Sequence, residues 1–253
     1  MIRWKEVILR IFYHMKAFAD SIILFFKSLE IDTQLPDGIS ILNPYHDAEV
    51  MTLVEAYFRK YYDDTSPRIP VMGINPGRFG GGLTGISFTD PVNLEAKCGI
   101  PNPIEKRPEL SSTFIFSVID RFGGVDAFFH RFFLTAICPL GFVKEGKNYN
   151  YYDDKALKRA VTPFITYTME RQHAICGYPE DCICVGEGEN LKFLTDLNHK
   201  LGLFQRVHPL PHPRFIMQYR RKKMQDYTEF YIHIFNKLSK ISNIRTYEVE
   251  VEV

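Results

Sequence analysis

The sequence predicts an α/β protein, a three-layer α/β/α sandwich with a central four-stranded parallel sheet. Four apolar runs of strand length are rich in β-branched, aromatic or cysteine residues, and they cover residues 68–75, 132–138, 181–186 and 204–210. Longer segments with apolar residues at helical spacing separate these runs. Strands that alternate with helices pair in parallel through helical crossovers, and ligands bind at the carboxyl ends of such strands.

The helical segments between the strands carry start and stop signals. SSTFIFSVIDRFGG offers a serine N-cap candidate and ends in two glycines, and it precedes the second strand. The segments DDKALKRAVTPFITYTMERQ and GENLKFLTDLNHKLG precede the third and fourth strands. Residues 1–30 predict an amphipathic helix packed on the domain, because charged residues interrupt the apolar ones too often for a signal peptide or a membrane span. The terminal YEVEVEV predicts an edge strand or a frayed tail.

Size and composition limit the possible classes of function. A chain of 253 residues, 45% hydrophobic and without a recognisable linker, predicts a single domain over 1–253, with a tail beyond about residue 235. Lysine plus arginine (31) nearly balance aspartate plus glutamate (30), so any attraction to nucleic acid must be local. Five cysteines, an odd count without a repeated framework, favour a reducing compartment and a cytoplasmic protein.

The glycine-rich stretch MGINPGRFGGGLTGISF, residues 72–88, follows the first strand and therefore predicts a ligand site. It is not a P-loop, because it lacks the final lysine and serine or threonine of that motif. The later GEGEN, residues 186–190, is a weak match to a dinucleotide loop, since Glu187 and Glu189 would repel a pyrophosphate.

GINPGRFGGGLTGISF resembles the first motif of the uracil-DNA glycosylase superfamily, specifically its SMUG branch of single-strand-selective monofunctional enzymes. Similarities to the branch continue in the same order with KRP, ICPLGF, VGEGENLKF and HPLPHPR. The resemblance covers most of the chain except its two ends, and it implies the same parallel α/β/α sandwich. It also implies hydrolysis of the N-glycosidic bond of uracil, or of an oxidised or deaminated base such as hydroxymethyluracil, in base excision repair.

The resemblance assigns roles within the first motif. Asn75 matches the residue that holds the attacking water, and as an amide it would orient the water rather than remove its proton. Phe88 matches the ring that stacks on a flipped base. The resemblance places four more residues near the base and sugar: Gly73, Ile74, Gly77 and Arg78. Without the resemblance, Asn75 reads as a turn residue before proline and Phe88 as a core residue.

A family histidine followed by proline donates a hydrogen bond to the departing base, and this sequence offers two such pairs. His208 matches if HPLP is aligned with the family motif. His212 matches if the motif follows the last strand residue, and we favour His212 because it then lies at the loop tip where a flipped base would arrive. His208 is then a strand residue that donates to the backbone.

The segment after the second histidine predicts a DNA-binding surface. Phe215, Ile216 and Met217 can form an apolar wedge that fills the gap left by a flipped nucleotide. The cations that can hold phosphates are Arg214, Arg220, Arg221, Lys222 and Lys223. The structural alternative is an ordinary amphipathic helix with a solvated basic face.

One position departs from the family pattern. Where the family has an asparagine that reads the base, this sequence has Ala136. Asn150 or Asn148 could supply an amide and Thr135 a hydroxyl, or all three are structural.

Cofactors and partners follow from the same residues. The cysteine spacing contains no Cys-x-x-Cys, so we expect no iron–sulfur cluster, no metal and no cofactor. Neither motif contains a lysine that could act as a strand-cleaving nucleophile. We expect a monomer that binds single- or double-stranded DNA with a damaged base, and no membrane. The alternatives are a non-catalytic nucleic-acid-binding relative and a small-molecule enzyme of nucleotide metabolism.

Overall fold

A computed structural model of the protein describes residues 16–240. Within this range the strands are β1 (Ile39–Leu42), β2 (Ile69–Gly73), β3 (Phe132–Ala136), β4 (Gly141–Lys144), β5 (Lys147–Tyr149), β6 (Asp181–Val185) and β7 (Arg206–Leu210). A four-stranded parallel sheet has the order β3-β2-β6-β7. These four strands lie within the four predicted apolar runs, and the predicted fold class is confirmed.

The helices within the same range flank this sheet and connect its strands. They are α1 (Phe18–Lys27), α2 (Ala48–Tyr61), α3 (Gly81–Thr84), α4 (Pro91–Ala96), α5 (Leu110–Phe122), α6 (Val125–Phe129), α7 (Lys155–Ile175), α8 (Glu189–Leu201), α9 (Pro213–Tyr219) and α10 (Met224–Lys240). The three helical segments predicted before the second, third and fourth strands are α5, α7 and α8.

The two faces of the parallel sheet pack against different sets of helices. In β6, Ile183 belongs to a core cluster that includes buried residues of α1, α2, α5 and α10. Cys182 and Cys184 belong to a second cluster, with buried residues of α7 and α8. This alternation follows from the two-residue period of a strand, and it explains why strands covered on both faces read as continuous apolar runs.

A second, three-stranded antiparallel sheet of order β1-β4-β5 was not predicted. Its β4–β5 hairpin turns at Glu145 and Gly146, which both have positive φ (50° and 68°). Two such residues between paired strands are typical of a type I′ hairpin, and Gly146 was the available sequence signal, since glutamate is not a preferred residue of this turn. This hairpin brings residues 148–152 to the edge of the parallel sheet where the first motif lies.

The predictions for the chain ends are only partly covered by the described residues. Residues 16–30 include α1, whose apolar side is buried in the core, whereas residues 1–15 lie outside the described range. YEVEVEV also lies outside it, so the single domain over 1–253 stays a prediction. No helix in the described part of the chain is sufficiently long and apolar to cross a bilayer.

Candidate active site

A cavity of about 350 Å³ lies at the carboxyl ends of β2 and β3, where the sequence predicts a ligand site. Its walls come from the first motif, the end of β3, the start of α5, the β4–β5 hairpin with the residues that follow it, and α9 with its N-cap. The lining residues predicted from sequence are Gly73, Ile74, Asn75, Gly77, Phe88, Asn150, His212, Arg214 and Phe215. The fold therefore brings together residues that are up to 142 positions apart between Gly73 and Phe215, because parallel strands end at the same edge.

Asn75 is held by the backbone at the end of β5 and just after it. Its Oδ1 accepts a hydrogen bond from the Tyr151 N–H at 3.1 Å, and its Nδ2 donates to the Tyr149 carbonyl at 3.2 Å. These two bonds fix the direction of the carboxamide and leave the second lone pair of Oδ1 available to a water or a ligand. An aspartate could not donate to Tyr149, so the position uses both ends of an amide.

Tyr151 is in turn held by the first turn of α8. Its hydroxyl donates to Asn190 Oδ1 at 2.8 Å, and Asn190 Nδ2 donates to the Val185 carbonyl at 3.2 Å. Both Tyr151 and Asn190 are fully buried. The GEGEN segment therefore supports Asn75 indirectly, which gives its asparagine a structural role at the site.

Phe88 lies against the end of β2 because Gly73 has no side chain. A Cβ on Gly73 would come within 2.5 Å of Phe88 Cζ, closer than packed atoms approach. Phe88 also has a positive φ of 57°, which is uncommon for a bulky residue and turns its ring toward the cavity that it lines. Its ring centroid is 6.5 Å from that of His212.

His212 is the N-cap of α9, and its Nδ1 accepts a hydrogen bond from the Arg214 N–H at 3.2 Å. The pKa of His212 is lowered to about 4, mainly by burial and also by the positive charge of Arg214, whereas the negative charge of Glu109 opposes the shift. The imidazole is therefore neutral near pH 7. Because Nδ1 accepts, the proton lies on Nε2, which is left as a donor for a ligand in the cavity.

His208 does not line the cavity. It lies in the middle of β7, and its Nε2 is 2.8 Å from Asp181 Oδ1. The carboxylate of Asp181 also accepts a hydrogen bond from Arg206. The partner of His208 is thus a side chain and not the predicted backbone group. Burial would raise the pKa of Asp181, but hydrogen bonds from Arg206 and His208 lower it overall. This arrangement is a structural ion-pair cluster outside the cavity.

Glu109 is a cavity residue that the sequence reasoning missed. Its Oε2 accepts from the Ser112 N–H at 2.9 Å, which caps α5, and its Oε1 accepts from Arg214 Nη2 at 3.0 Å. The carboxylate thus joins the start of α5 to the start of α9 across the cavity wall. An N-cap pattern in ELSS was readable from sequence, but the partner 105 residues away was not.

The wedge prediction needs a correction at Ile216. Its side chain is 0% exposed and belongs to the core, so it cannot enter a base stack, and Met217 also packs against the core. Phe215 is 41% exposed and Tyr219 is 67% exposed; their rings are 5.9 Å apart, and both line the cavity. Residues four apart share one helix face, which gives Tyr219 the outward position that the sequence reasoning gave to Ile216.

Two of the predicted base contacts also differ from expectation. The side chain of Arg78 packs on Phe79, with Cζ 4.5 Å from the ring centroid, and does not line the cavity; only its backbone N–H is tied to the site, through Asn148 Oδ1 at 3.0 Å. Asn150 lines the cavity, but its Nδ2 donates to Asp153 Oδ1 at 3.2 Å. Asn148, Thr135 and the small Ala136 also line the cavity.

The predicted basic residues after the wedge form an exposed turn. Arg221–Lys223 is a short 3-10 helix between α9 and α10, and all of its side chains are exposed, as is that of Arg220. Arg220 Cζ lies 5.2 Å from the Phe215 ring centroid. The turn therefore continues outward from the cavity wall.

The cysteines have no part in the cavity wall. All five are buried, and burial raises the pKa of Cys98, Cys138 and Cys184 to about 12. Cys182 and Cys184 fill one face of the sheet as predicted. In the range 16–240 no three or more histidine, cysteine or acidic side chains are grouped to hold a metal.

The comparison with protein families decides the assignment. The model of the uracil DNA glycosylase superfamily matches residues 59–236. The chain belongs to this superfamily. A comparison with curated proteins gave no match. Among solved structures, the crystal structure of wild-type SMUG2 from Pedobacter heparinus is 44% identical in sequence, with a TM-score of 0.85, and the match covers 89% of this chain and 99% of that one.

Membership in the superfamily supports a glycosylase function of the uracil-DNA type, a hydrolase of DNA repair with DNA as its partner. The match extends from α2 to α10 and includes every residue that lines the cavity. The resemblance recognised in the first motif is therefore confirmed at the level of the family.

Proposed function

We propose that the protein is a monofunctional DNA glycosylase that hydrolyses the N-glycosidic bond of uracil, or of an oxidised or deaminated base such as hydroxymethyluracil, in single- or double-stranded DNA. It acts as a monomer without a cofactor. The observation that carries the proposal is that Asn75, Phe88 and His212 line one cavity. Its volume of about 350 Å³ lies in the usual range for small-ligand sites.

The proposed mechanism divides the charges of the reaction between two residues. The C1′–N bond breaks, its electron pair leaves with the base, and the sugar becomes oxocarbenium-like. The Nε2–H of neutral His212 donates to the carbonyl oxygen on which negative charge develops. Asn75 Oδ1 accepts from a water whose oxygen bonds to C1′ and whose proton passes to solvent. The ring of Phe88 stacks on the base outside the DNA helix.

We assign base reading to Asn148 in place of the family asparagine that is replaced by Ala136. Asn148 lines the cavity, and its Oδ1 already accepts from the Arg78 N–H, so we assign its Nδ2 as the donor that reads the base. A donor pairs with a uracil carbonyl and is opposed by the amino group of cytosine. Asn150 is less suited, because its amide already donates to Asp153.

Two features support the monofunctional part of the proposal. Among the described residues, none of those lining the cavity is a lysine, the side chain that forms a Schiff base with the sugar. The amide of Asn75 is a poor nucleophile, and the Nδ1 lone pair of His212 already accepts from the Arg214 N–H, so this imidazole presents an N–H donor rather than a lone pair to the cavity. Release of the base with an intact abasic strand is the expected product.

The test is single-turnover cleavage of oligonucleotides that contain uracil, hydroxymethyluracil, xanthine or hypoxanthine. Asn75→Ala and His212→Ala should each lower the rate about 100- to 1,000-fold, the usual effect of losing one group that acts on the transition state. His208→Ala is the matched control, because it removes the other His-Pro imidazole of the same segment from a site outside the cavity. Asn148→Ala should reduce the preference for uracil over cytosine.

Three outcomes would contradict these assignments. A large loss in His208→Ala with a small one in His212→Ala would exchange the roles of the two histidines. If Asn75→Ala and His212→Ala both cleave at the wild-type rate, the proposed mechanism is wrong. Absence of base release by the wild-type protein on the whole panel would favour a non-catalytic DNA-binding relative.

A further inference from the structure

Two arginines flank a single aromatic ring at the rim of the cavity. Arg78 Cζ lies 4.5 Å and Arg107 Cζ 4.1 Å from the centroid of Phe79, within the range of a cation–π contact. Phe79 itself lines the cavity. Since both guanidinium groups touch the same ring, their charges lie within about 9 Å of each other, which is close to the screening length in physiological salt.

Neither guanidinium group is neutralised within the described part of the chain. The neighbouring cations are paired, Lys106 with Glu95 and Arg214 with Glu109, and no carboxylate forms an ion pair with Arg78 or Arg107. Arg107 is exposed and Arg78 is half-buried. Two like charges that are held together without a counter-charge attract an anion to the space near both.

The position of Arg78 and Arg107 beside the cavity indicates which anion they would bind. Arg78 precedes Phe79 in the first motif, and Arg107 lies two residues before the cavity residue Glu109. A nucleotide whose base enters the cavity keeps its phosphates outside, and the two guanidinium groups lie beside the cavity residue Phe79. Guanidinium groups are well suited to phosphate oxygens, which they bind through several N–H donors.

We propose that Arg78 and Arg107 together bind a backbone phosphate of the DNA strand next to the nucleotide that enters the cavity, and that Phe79 holds the two guanidinium groups for this contact. The inference rests on the proposed function, because it takes DNA as the occupant of the rim. It moves Arg78 from base recognition to backbone binding and adds Arg107, which the sequence reasoning did not assign to DNA.

The test measures binding of the full chain to an undamaged, fluorescently labelled single-stranded oligonucleotide as a function of salt. Arg78→Gln/Arg107→Gln should bind about tenfold more weakly at low salt. The slope of log K against log salt should fall by about 0.7, because the variant neutralises one phosphate fewer. The control Arg59→Gln/Arg121→Gln removes the same charge from exposed arginines paired with Asp20 and Glu229, and it should keep the wild-type slope. A slope in the first variant equal to that of the control overturns the proposal.

Phe79→Leu tests the role of the ring while keeping both charges. It should weaken binding to the same oligonucleotide, and wild-type affinity in this variant would overturn the holding role of Phe79. Undamaged DNA keeps this test separate from the proposed chemistry. A wild-type protein that releases no base while the arginine variant loses affinity refutes the glycosylase and not the phosphate site; base release with an unchanged slope refutes only the site.

Discussion

At the scale of single residues, the site depends on polar side chains that use one hydrogen-bonding atom or lone pair to bind the surrounding protein and keep another for a ligand. Asn75 binds the backbone at the end of β5 and just after it through both ends of its amide, and His212 uses Nδ1 to cap α9. In each case the supporting bond determines which atom remains for the ligand: a lone pair on Oδ1 of Asn75 and the Nε2–H of His212. The chemistry assigned to each residue therefore follows from the hydrogen bonds that hold its side chain in place.

The low pKa of His212 predicts a specific pH dependence of stability. An ordinary histidine titrates near 6.5, whereas burial lowers the pKa of His212 to about 4 in the folded protein. The unfolded chain then binds the proton first, so the free energy of unfolding should fall as the pH drops from about 6.5 to about 4 and lose no more below that. Chemical denaturation at several pH values measures this dependence.

His212→Asn is the matched variant for this experiment, since asparagine can also cap a helix but does not titrate. The difference in unfolding free energy between wild type and variant should change within the window from about pH 6.5 to about 4 and be constant outside it. Titration of the His212 ring by NMR in the folded protein gives the pKa directly. A pKa near 6.5 for the His212 ring would contradict the conclusion that burial lowers its pKa and keeps the imidazole neutral.

At the scale of elements, α9 is a short helix with two distinct faces. Ile216 is buried against the core, whereas Phe215 and Tyr219 point outward beside the cavity. Arg220 continues this outer face by packing on Phe215. One face therefore anchors the helix, and the other is available to DNA.

Substitutions on the two faces should have opposite effects. Phe215→Ala/Tyr219→Ala should lower cleavage of double-stranded substrates and leave stability nearly unchanged, because it removes exposed rings that fill the gap of a flipped nucleotide. Ile216→Ala should destabilise the fold by about 2–5 kcal/mol, the usual cost of truncating a buried isoleucine. Denaturant unfolding and single-turnover cleavage measure the two effects. Normal cleavage by the double variant would remove the wedge role from α9.

At the scale of the whole molecule, the candidate active site and a stabilising ion pair lie at opposite ends of the parallel sheet. The cavity lies at the carboxyl ends of the strands, whereas Asp181 and Arg206, the first residues of β6 and β7, form their ion pair at the amino ends. The formal net charge is only +1, so attraction to DNA must come from how the charges are distributed. Exposed cations near the cavity, including those of the turn at 220–223, provide such a distribution.

Removing the basic turn should change the salt dependence of DNA binding. Replacement of Arg220, Arg221, Lys222 and Lys223 by alanine should weaken binding to single strands and lower the salt slope by about 0.7 for each phosphate that these cations neutralise. The control removes four cations of exposed ion pairs elsewhere, Lys27, Arg59, Lys97 and Arg121. Fluorescence anisotropy at several salt concentrations distinguishes the two variants. If the turn variant and the control variant have equal salt slopes, the basic turn is a solvated surface that does not bind DNA.

Local patterns were sufficient to predict the parallel sheet and the position of its ligand site. Strands such as DCICV are continuously apolar after their first residue because both faces are covered, and the glycine-rich first motif follows a strand end. The β4–β5 hairpin was missed because its strands have only four and three residues and little apolar periodicity. Its bonds to Asn75 join residues 74 and 76 positions apart, a separation at which sequence pattern carries no signal.

The sequence by itself determined the family, the strand order along the chain and a pair of candidate histidines in HPLPHP. Only the tertiary structure decided that His212 faces the cavity while His208 binds Asp181, because β7 ends at Leu210 between them. The same holds for Ile216 and Tyr219, which both suit a wedge by residue type but face the core and the solvent in the folded helix. Contacts between distant segments set these orientations, and a one-dimensional pattern does not contain them.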